Sequence, residues 1–342
     1  MGIVLRQSFK ATIFSYIGAV IGVLNIVLVS PYCLSPEVIG LNRMFCESAM
    51  FLVFFVQLAV PQTAIKFFPY FKKDSDNSNR GFFAFFLIIP IIGLIIFGII
   101  YIILKPLIIN YFITNSKIFT SYFYYIIPFT VILSYLNVVE TFATCLYRIV
   151  IPKMIREIII RILNILIIFL FYFKLLSLNQ FIISLIGIYF TGFLLNLFYL
   201  RKFLRISFKI NFKWIDKNLV KQIIYYTIFI ILGGIGSAIA GKIDVFMISS
   251  KLGISQTGIF TIAFYMIAII EIPSRALMQI SAPIVSEAIK NNDIKNIESI
   301  YKKSSINQLI VGGGLFILLW ININNIFRIM PHGNLYECGR YV

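Results

Sequence analysis

Three pairs of opposite charge interrupt an otherwise apolar chain: Arg43 with Glu47, Glu157 with Arg161, and Glu271 with Arg275. Each pair is spaced i to i+4, which places both members on one face of a helix. Arginines on such a face can meet an anionic group, while the carboxylates balance charge or bind a coupling cation. An ionised side chain at the centre of a lipid-embedded helix costs about 2.5–3.5 kcal/mol, and those that persist tend to face a protein interior or a wet path. The pairs therefore predict a polar cavity lined by Arg43, Glu47, Arg161, Glu271 and Arg275. A pair that merely neutralises itself near a helix end, serving packing and insertion, is an equally good account of Glu157 and Arg161. It is a weaker account of Glu271 and Arg275, which lie deeper in their apolar run.

Lys242 and Asp244 are two residues apart, so on a helix they point about 200° away from one another and only one can face inward. Asp244 is a candidate for cation or proton binding, as is Glu140; an interfacial charge explains either one equally well. Other chemistries lack their residues. The cysteines Cys33, Cys46, Cys145 and Cys338 have no CxxC spacing and His332 is the single histidine, so no zinc site can be assembled. No GxxxxGK[ST] loop occurs and Gly312, Gly313 and Gly314 sit inside an apolar run, so neither a nucleotide site nor a cofactor motif is present.

The elements that must carry these residues follow from composition. Of 342 residues, 60% are hydrophobic and 13% charged, and the mean hydropathy is +0.95, which excludes a water-soluble enzyme. A helix needs about 20 apolar residues to cross the hydrocarbon core. Nine such runs can be read, at approximately 10–30, 41–64, 82–104, 119–142, 154–173, 181–200, 223–248, 257–284 and 305–327. They are continuous rather than alternating, so membrane helices and not strands are expected. The first run ends in Ser30-Pro31-Tyr32 rather than a small-residue cleavage site, and is therefore expected to stay as a helix.

Lys and Arg collect in cytoplasmic loops. With the N-terminus inside, 20 basic residues fall in cytoplasmic segments and six outside, alternating loop by loop. This accounts for the net charge of +17 without nucleic acid. The longest polar interruption, Arg201 to Lys221, alternates apolar and basic residues. It suits a segment lying on the anionic lipids of the inner leaflet, or equally a solvated connector. Either way it divides the chain into an N-terminal lobe of six helices (1–200), the connector (201–222) and a C-terminal lobe of three (223–342).

The two lobes echo one another. Thr12-Ile13-Phe14 followed by Gly18 and Gly22 is matched by Thr227-Ile228-Phe229 followed by Gly233 and Ser237, and Gly40 and Gly258 each lead into the next span. Both copies begin on the same side, as in a parallel repeat about an axis along the membrane normal. Gly18 with Gly22, and Gly233, Ser237 and Gly241, recur every four residues and predict faces for close helix packing. Six spans against three leads to the expectation that the second lobe is incomplete and the chain truncated at its C-terminus.

Two segments carry a family resemblance. The opening LRQSFKATIFSYIGAVIGVLNIVLVSPYCLSPEVIGLNR and the later KIDVFMISSKLGISQTGIFTIAFYMIAIIEIPSRALMQISAPIVSEAIKNND resemble the segments that open the first and second halves of the bacterial polysaccharide biosynthesis flippases. These belong to the multidrug, oligosaccharidyl-lipid and polysaccharide exporter superfamily. The resemblance implies an all-α polytopic bundle in the inner membrane that moves a polyprenyl-diphosphate-linked oligosaccharide outward by alternating access, for O-antigen or capsule assembly alongside polysaccharide assembly proteins. A drug or organic-cation antiporter of the same superfamily, or a membrane fragment without transport, are the other readings.

Overall fold

The computed structural model describes residues 2–71, 82–203, 217–290 and 293–329. Within them the chain is helical throughout. Helix α1 (Gly2–Val23) passes through a π-helical turn (Leu24–Val29) into α2 (Ser30–Cys33), followed by α3 (Pro36–Val56), α4 (Val60–Phe71) and α5 (Phe82–Ile103). Short helices α6 (Lys105–Phe112) and α7 (Lys117–Thr120) lead to α8 (Ile126–Cys145). Next come α9 (Val150–Met154), a second π turn (Ile155–Ile159), α10 (Ile160–Tyr172) and α11 (Leu178–Arg201). The remainder is α12 (Lys217–Ala240), α13 (Ile243–Lys251), α14 (Ile254–Lys290) and α15 (Ile294–Ile329). Most of the basic connector, 204–216, and the C-terminal stretch 330–342 lie outside the described residues.

Eight helical segments among the described residues are long and apolar enough to cross a bilayer, one fewer than the sequence reading gives. The difference is the run 154–173. There the chain is helical from Val150 to Tyr172, but its first turns carry Lys153, Arg156, Glu157 and Arg161, leaving only 162–172 free of charge. Two other expected spans are broken rather than straight. The second divides into α3 and α4 at Leu58 and Ala59, whose φ angles of 48° and 54° are left-handed; a side chain there costs roughly 1–2 kcal/mol per residue. The buried Gln57 side chain holds the break by donating to the Ser134 carbonyl of α8 at 3.1 Å. The seventh divides at Gly241 and Lys242, between α12 and α13.

Helix starts follow local chemistry. Ser35 caps α3 by accepting from the Val38 amide at 3.4 Å, with Pro36 at the first helical position and Glu37 in the first turn. Ser177 and Gln180 form a reciprocal capping box at α11. The buried core gathers on α3, α8, α11 and the early part of α14, with Phe45 stacked on Phe129 at 5.2 Å between α3 and α8. Side chains such as Ile95 on α5, Phe229 on α12 and Leu309 on α15 are exposed, as expected of surfaces that meet acyl chains.

The most intimate crossing joins α3 to α14. A Cβ at Gly40 would overlap the Ile254 carbonyl oxygen, and a Cβ at Gly258 would overlap that of Pro36. The contact is reciprocal, and both pairs, Pro36 with Ile254 and Gly40 with Gly258, are 218 residues apart. Self-complementary contact of this kind is what a two-fold relation generates.

The glycine stripes behave differently from one another. Gly18 and Gly22 turn toward the π turn and α10: a Cβ at Gly18 would come within 2.6 Å of Glu157 Cβ, and one at Gly22 would strike the Arg161 guanidinium. Among the described residues, no neighbouring helix comes close to the expected packing face at Gly233 or Gly241. Among the described residues nothing lies within 4 Å of a Cβ at Gly233, the closest atom to one at Gly241 belongs to α12 itself, and the Ser237 hydroxyl donates to Gly234 of its own helix. The neighbouring Gly234, facing the Phe54 ring of α3, makes the close approach instead, because one step along a helix turns the face by about 100°.

Candidate functional site

Arg43 and Glu47 stand one turn apart on α3, joined at 2.7 Å. Glu47 is buried and Arg43 mostly so, with side chains 3% and 12% exposed. Glu47 also accepts from Lys242 at the start of α13, and Arg43 also donates to the Tyr265 hydroxyl of α14. The guanidinium lies 5.2 Å from the Phe264 ring centroid and 4.8 Å from that of Tyr265, distances at which an aromatic face attracts a cation. The carboxylate thus sits between two cations contributed by well-separated parts of the chain. The Arg43 Nε–H is buried and has no acceptor among the described residues.

Arg43, Glu47 and Tyr265 form one wall of a cavity of about 360 Å³, bounded also by Asn25, Ser30, Asn42, Arg161, Asn164, Tyr189 and Thr261. Asn25 comes from the first π turn, a helix irregularity that re-aims side chains and is frequent at functional positions. A polar cavity of this size can hold ordered water or a small charged group.

A second charged group lies on α8, α9, the second π turn and α10. Arg161 pairs with Glu157 at 2.6 Å and donates to the Gly18 carbonyl; Lys153 pairs with Glu157 at 3.3 Å; Arg156 pairs with Glu140 at 3.2 Å and donates to Asn137. Arg156 and Glu157 both lie in the second π turn. Thr12, Ser15, Glu140, Thr144, Lys153 and Arg156 border a further cavity of about 450 Å³. In each cluster the carboxylate is more buried than its cations: Glu157 is 15% exposed against 39% for Lys153 and 35% for Arg161, and Glu140 is 17% against 38% for Arg156. Arg43 and Arg161 border the first cavity together with Glu47, and Lys153 and Arg156 border the second together with Glu140. Across these contacts five cations share three carboxylates.

Of the residues singled out in the sequence, Arg43, Glu47 and Arg161 border one cavity and Glu140 borders the other. Glu271 is exposed on α14 and borders neither; the side chain of Arg275 lies outside the described residues. Asp244 is exposed in the first turn of α13. Its neighbour Lys242 is the member of that pair turned inward. Tyr265, Lys153 and Arg156 were not singled out. Tyr265 carried a usable signal: it stands 218 residues after Glu47, the spacing of the two glycines at the helix crossing.

No protein-family model and no curated protein sequence matches the chain. The chain is similar to a solved structure, the inward-facing conformation of a multidrug resistance MATE family transporter of the MOP superfamily. The TM-score is 0.67 at 13% identity, over 98% of this chain and 78% of that one. At this identity the likeness is one of fold. The fold is that of an all-α polytopic transporter, and the chain is a multi-pass membrane protein.

Proposed function

We propose that the protein is a transporter of the MOP superfamily, resident in the inner membrane with its N-terminus in the cytoplasm, that flips a polyprenyl-diphosphate-linked oligosaccharide for polysaccharide assembly. The observation that carries this reading is Arg43 on the wall of a polar cavity, whose buried Nε–H has no acceptor among the described residues. An arginine fork matches phosphate oxygens in geometry and charge. The excess of cations over carboxylates across the two cavities supports a bound anion of about two negative charges. Helices α1 to α11 and α12 to α15 form the two lobes, whose crossing at Gly40 and Gly258 serves as the contact about which the cavity opens alternately to either side.

The likeness to a multidrug transporter favours a second reading, export of organic cations. That substrate needs a carboxylate available to it, whereas Glu47, Glu157 and Glu140 are each bound by a cation of the chain. The deciding experiment uses proteoliposomes holding the full chain. Translocation of a fluorescent polyprenyl-diphosphate oligosaccharide, without efflux of ethidium, supports the flippase. Ethidium efflux with no lipid translocation supports the antiporter.

A further inference from the structure

We infer that the cavity between α1, α8 and α9 is a second anion-binding station, at which Lys153 and Arg156 hold a phosphate group before it passes to Arg161 and Arg43. The inference rests on the flippase reading and adds a site to it. Glu157 is the structural reason. Its carboxylate takes Lys153 on the side of one cavity and Arg161 on the side of the other, so it stands as the partition between them. Gly18 makes room for it: any larger residue on α1 would press on the Glu157 stem and backbone. Ser15 and Ala19, the α1 residues at the facing edges of the two cavities, are roughly 6 Å apart at about 1.5 Å rise per residue. Lys153 and Arg161 bind the two oxygens of the same Glu157 carboxylate, so a phosphate held at one has only a short step to the other.

The station has the chemistry of a phosphate site. Lys153 and Arg156 come from adjacent turns of one helical segment, so their charges converge. Both border the cavity, are more than one-third exposed, and pair with the less exposed carboxylates of Glu157 and Glu140, the latter also bordering the cavity. Thr12, Ser15 and Thr144 border the same space, the Ser15 and Thr144 hydroxyls donating to the Ala11 and Glu140 carbonyls of their own helices. A phosphate arriving here competes with Glu157 for Lys153. Glu157 then leans toward Arg161, and the same competition at Arg161 carries the anion onward. Every step exchanges one ion pair for another, so no cation is left buried and unpaired, a state that is strongly unfavourable.

The test is protection from thiol labelling by inorganic pyrophosphate. The background is the full chain in detergent with its four cysteines changed to serine. Thr144→Cys reports on the proposed station and Met50→Cys on the cavity of Arg43. We expect pyrophosphate to slow maleimide labelling of Thr144→Cys at least fivefold. This protection is expected to persist with Arg43→Ala, to vanish with Lys153→Gln/Arg156→Gln, and to return with Lys153→Arg/Arg156→Lys. Protection at Met50→Cys in the double Gln variant shows that it is folded. Labelling of Thr144→Cys that is unaffected while Met50→Cys is protected overturns the second station and leaves the flippase reading standing. Protection at neither position defeats both. Equal slowing by chloride at matched ionic strength reduces the effect to screening and also overturns the station.

Discussion

Arg43 of α3 donates to the hydroxyl of Tyr265 on α14, and Tyr265 occupies the place on its helix that Glu47 occupies on α3. The guanidinium therefore binds two positions related by the 218-residue spacing, its own carboxylate and that carboxylate's counterpart across the crossing. A tyrosine in the second position accepts the bond without a second negative charge. The cluster is left with more positive than negative groups where α3 meets α14.

Glu47 is the most sensitive residue of this cluster. Removing one partner of a buried ion pair costs about 3–5 kcal/mol, and Glu47→Ala strands two cations, Arg43 and Lys242. Thermal unfolding in detergent should show a marked fall for Glu47→Ala. Glu47→Ala/Lys242→Ala should recover part of the loss, and a double-mutant cycle with no coupling between the two positions would contradict the pairing.

Gly40→Ala and Gly258→Ala should each destabilise the crossing. The added methyl meets a backbone carbonyl in both cases, and overpacking typically costs about 1–3 kcal/mol. The effect should also reach the far end of α13, where Asn115 donates to the Ser250 carbonyl at 2.8 Å. A disulfide engineered as Asn115→Cys/Ser250→Cys should form more slowly in the glycine variants than in their absence; an unchanged rate would show that the crossing does not set this distance.

The two glycines of α1 should differ. Gly18→Ala drives a methyl against the Glu157 Cβ and carbonyl, whereas Gly22→Ala meets the end of the Arg161 side chain, which can swing aside. Gly18→Ala is therefore expected to lower stability and translocation together, and Gly22→Ala to leave stability close to that of the parent. Comparable losses of stability in both would argue against a rigid contact at Glu157.

The break between α3 and α4 yields a prediction of opposite sign. Glycine adopts positive φ without a Cβ penalty, so Ala59→Gly should raise stability by about 1 kcal/mol. A loss of similar size would mean that the Ala59 methyl contributes packing that outweighs its backbone strain.

The helical class, the count of spans to within one and the partnership of Arg43 with Glu47 and of Glu157 with Arg161 were legible, because apolar length and i to i+4 spacing are properties of a single helix. What depends on how helices meet was not. Lys242 and Asp244 sit two residues apart, and only the break after Ala240 determines that Lys242 turns toward Glu47. Lys153 and Arg156 count among the cytoplasmic basic residues at the start of the run 154–173, yet the helix begins at Val150 and the π turn carries Arg156 toward Glu140. Glu271 lies at lipid depth by its position in the chain, and hydropathy gives depth without giving the face. The stripe of Gly233, Ser237 and Gly241 shows the same gap: small residues permit close packing, and the neighbouring helix took the adjacent face at Gly234.

The measurement that bears most directly on the whole account is the rate of polyprenyl-diphosphate oligosaccharide translocation in proteoliposomes for Arg43→Ala, Arg43→Lys and the parent at equal reconstituted amounts. Charge recognition at the cavity predicts a loss of at least tenfold for Arg43→Ala and a partial return for Arg43→Lys, which restores the charge without the fork. Translocation by Arg43→Ala at the parental rate would contradict it.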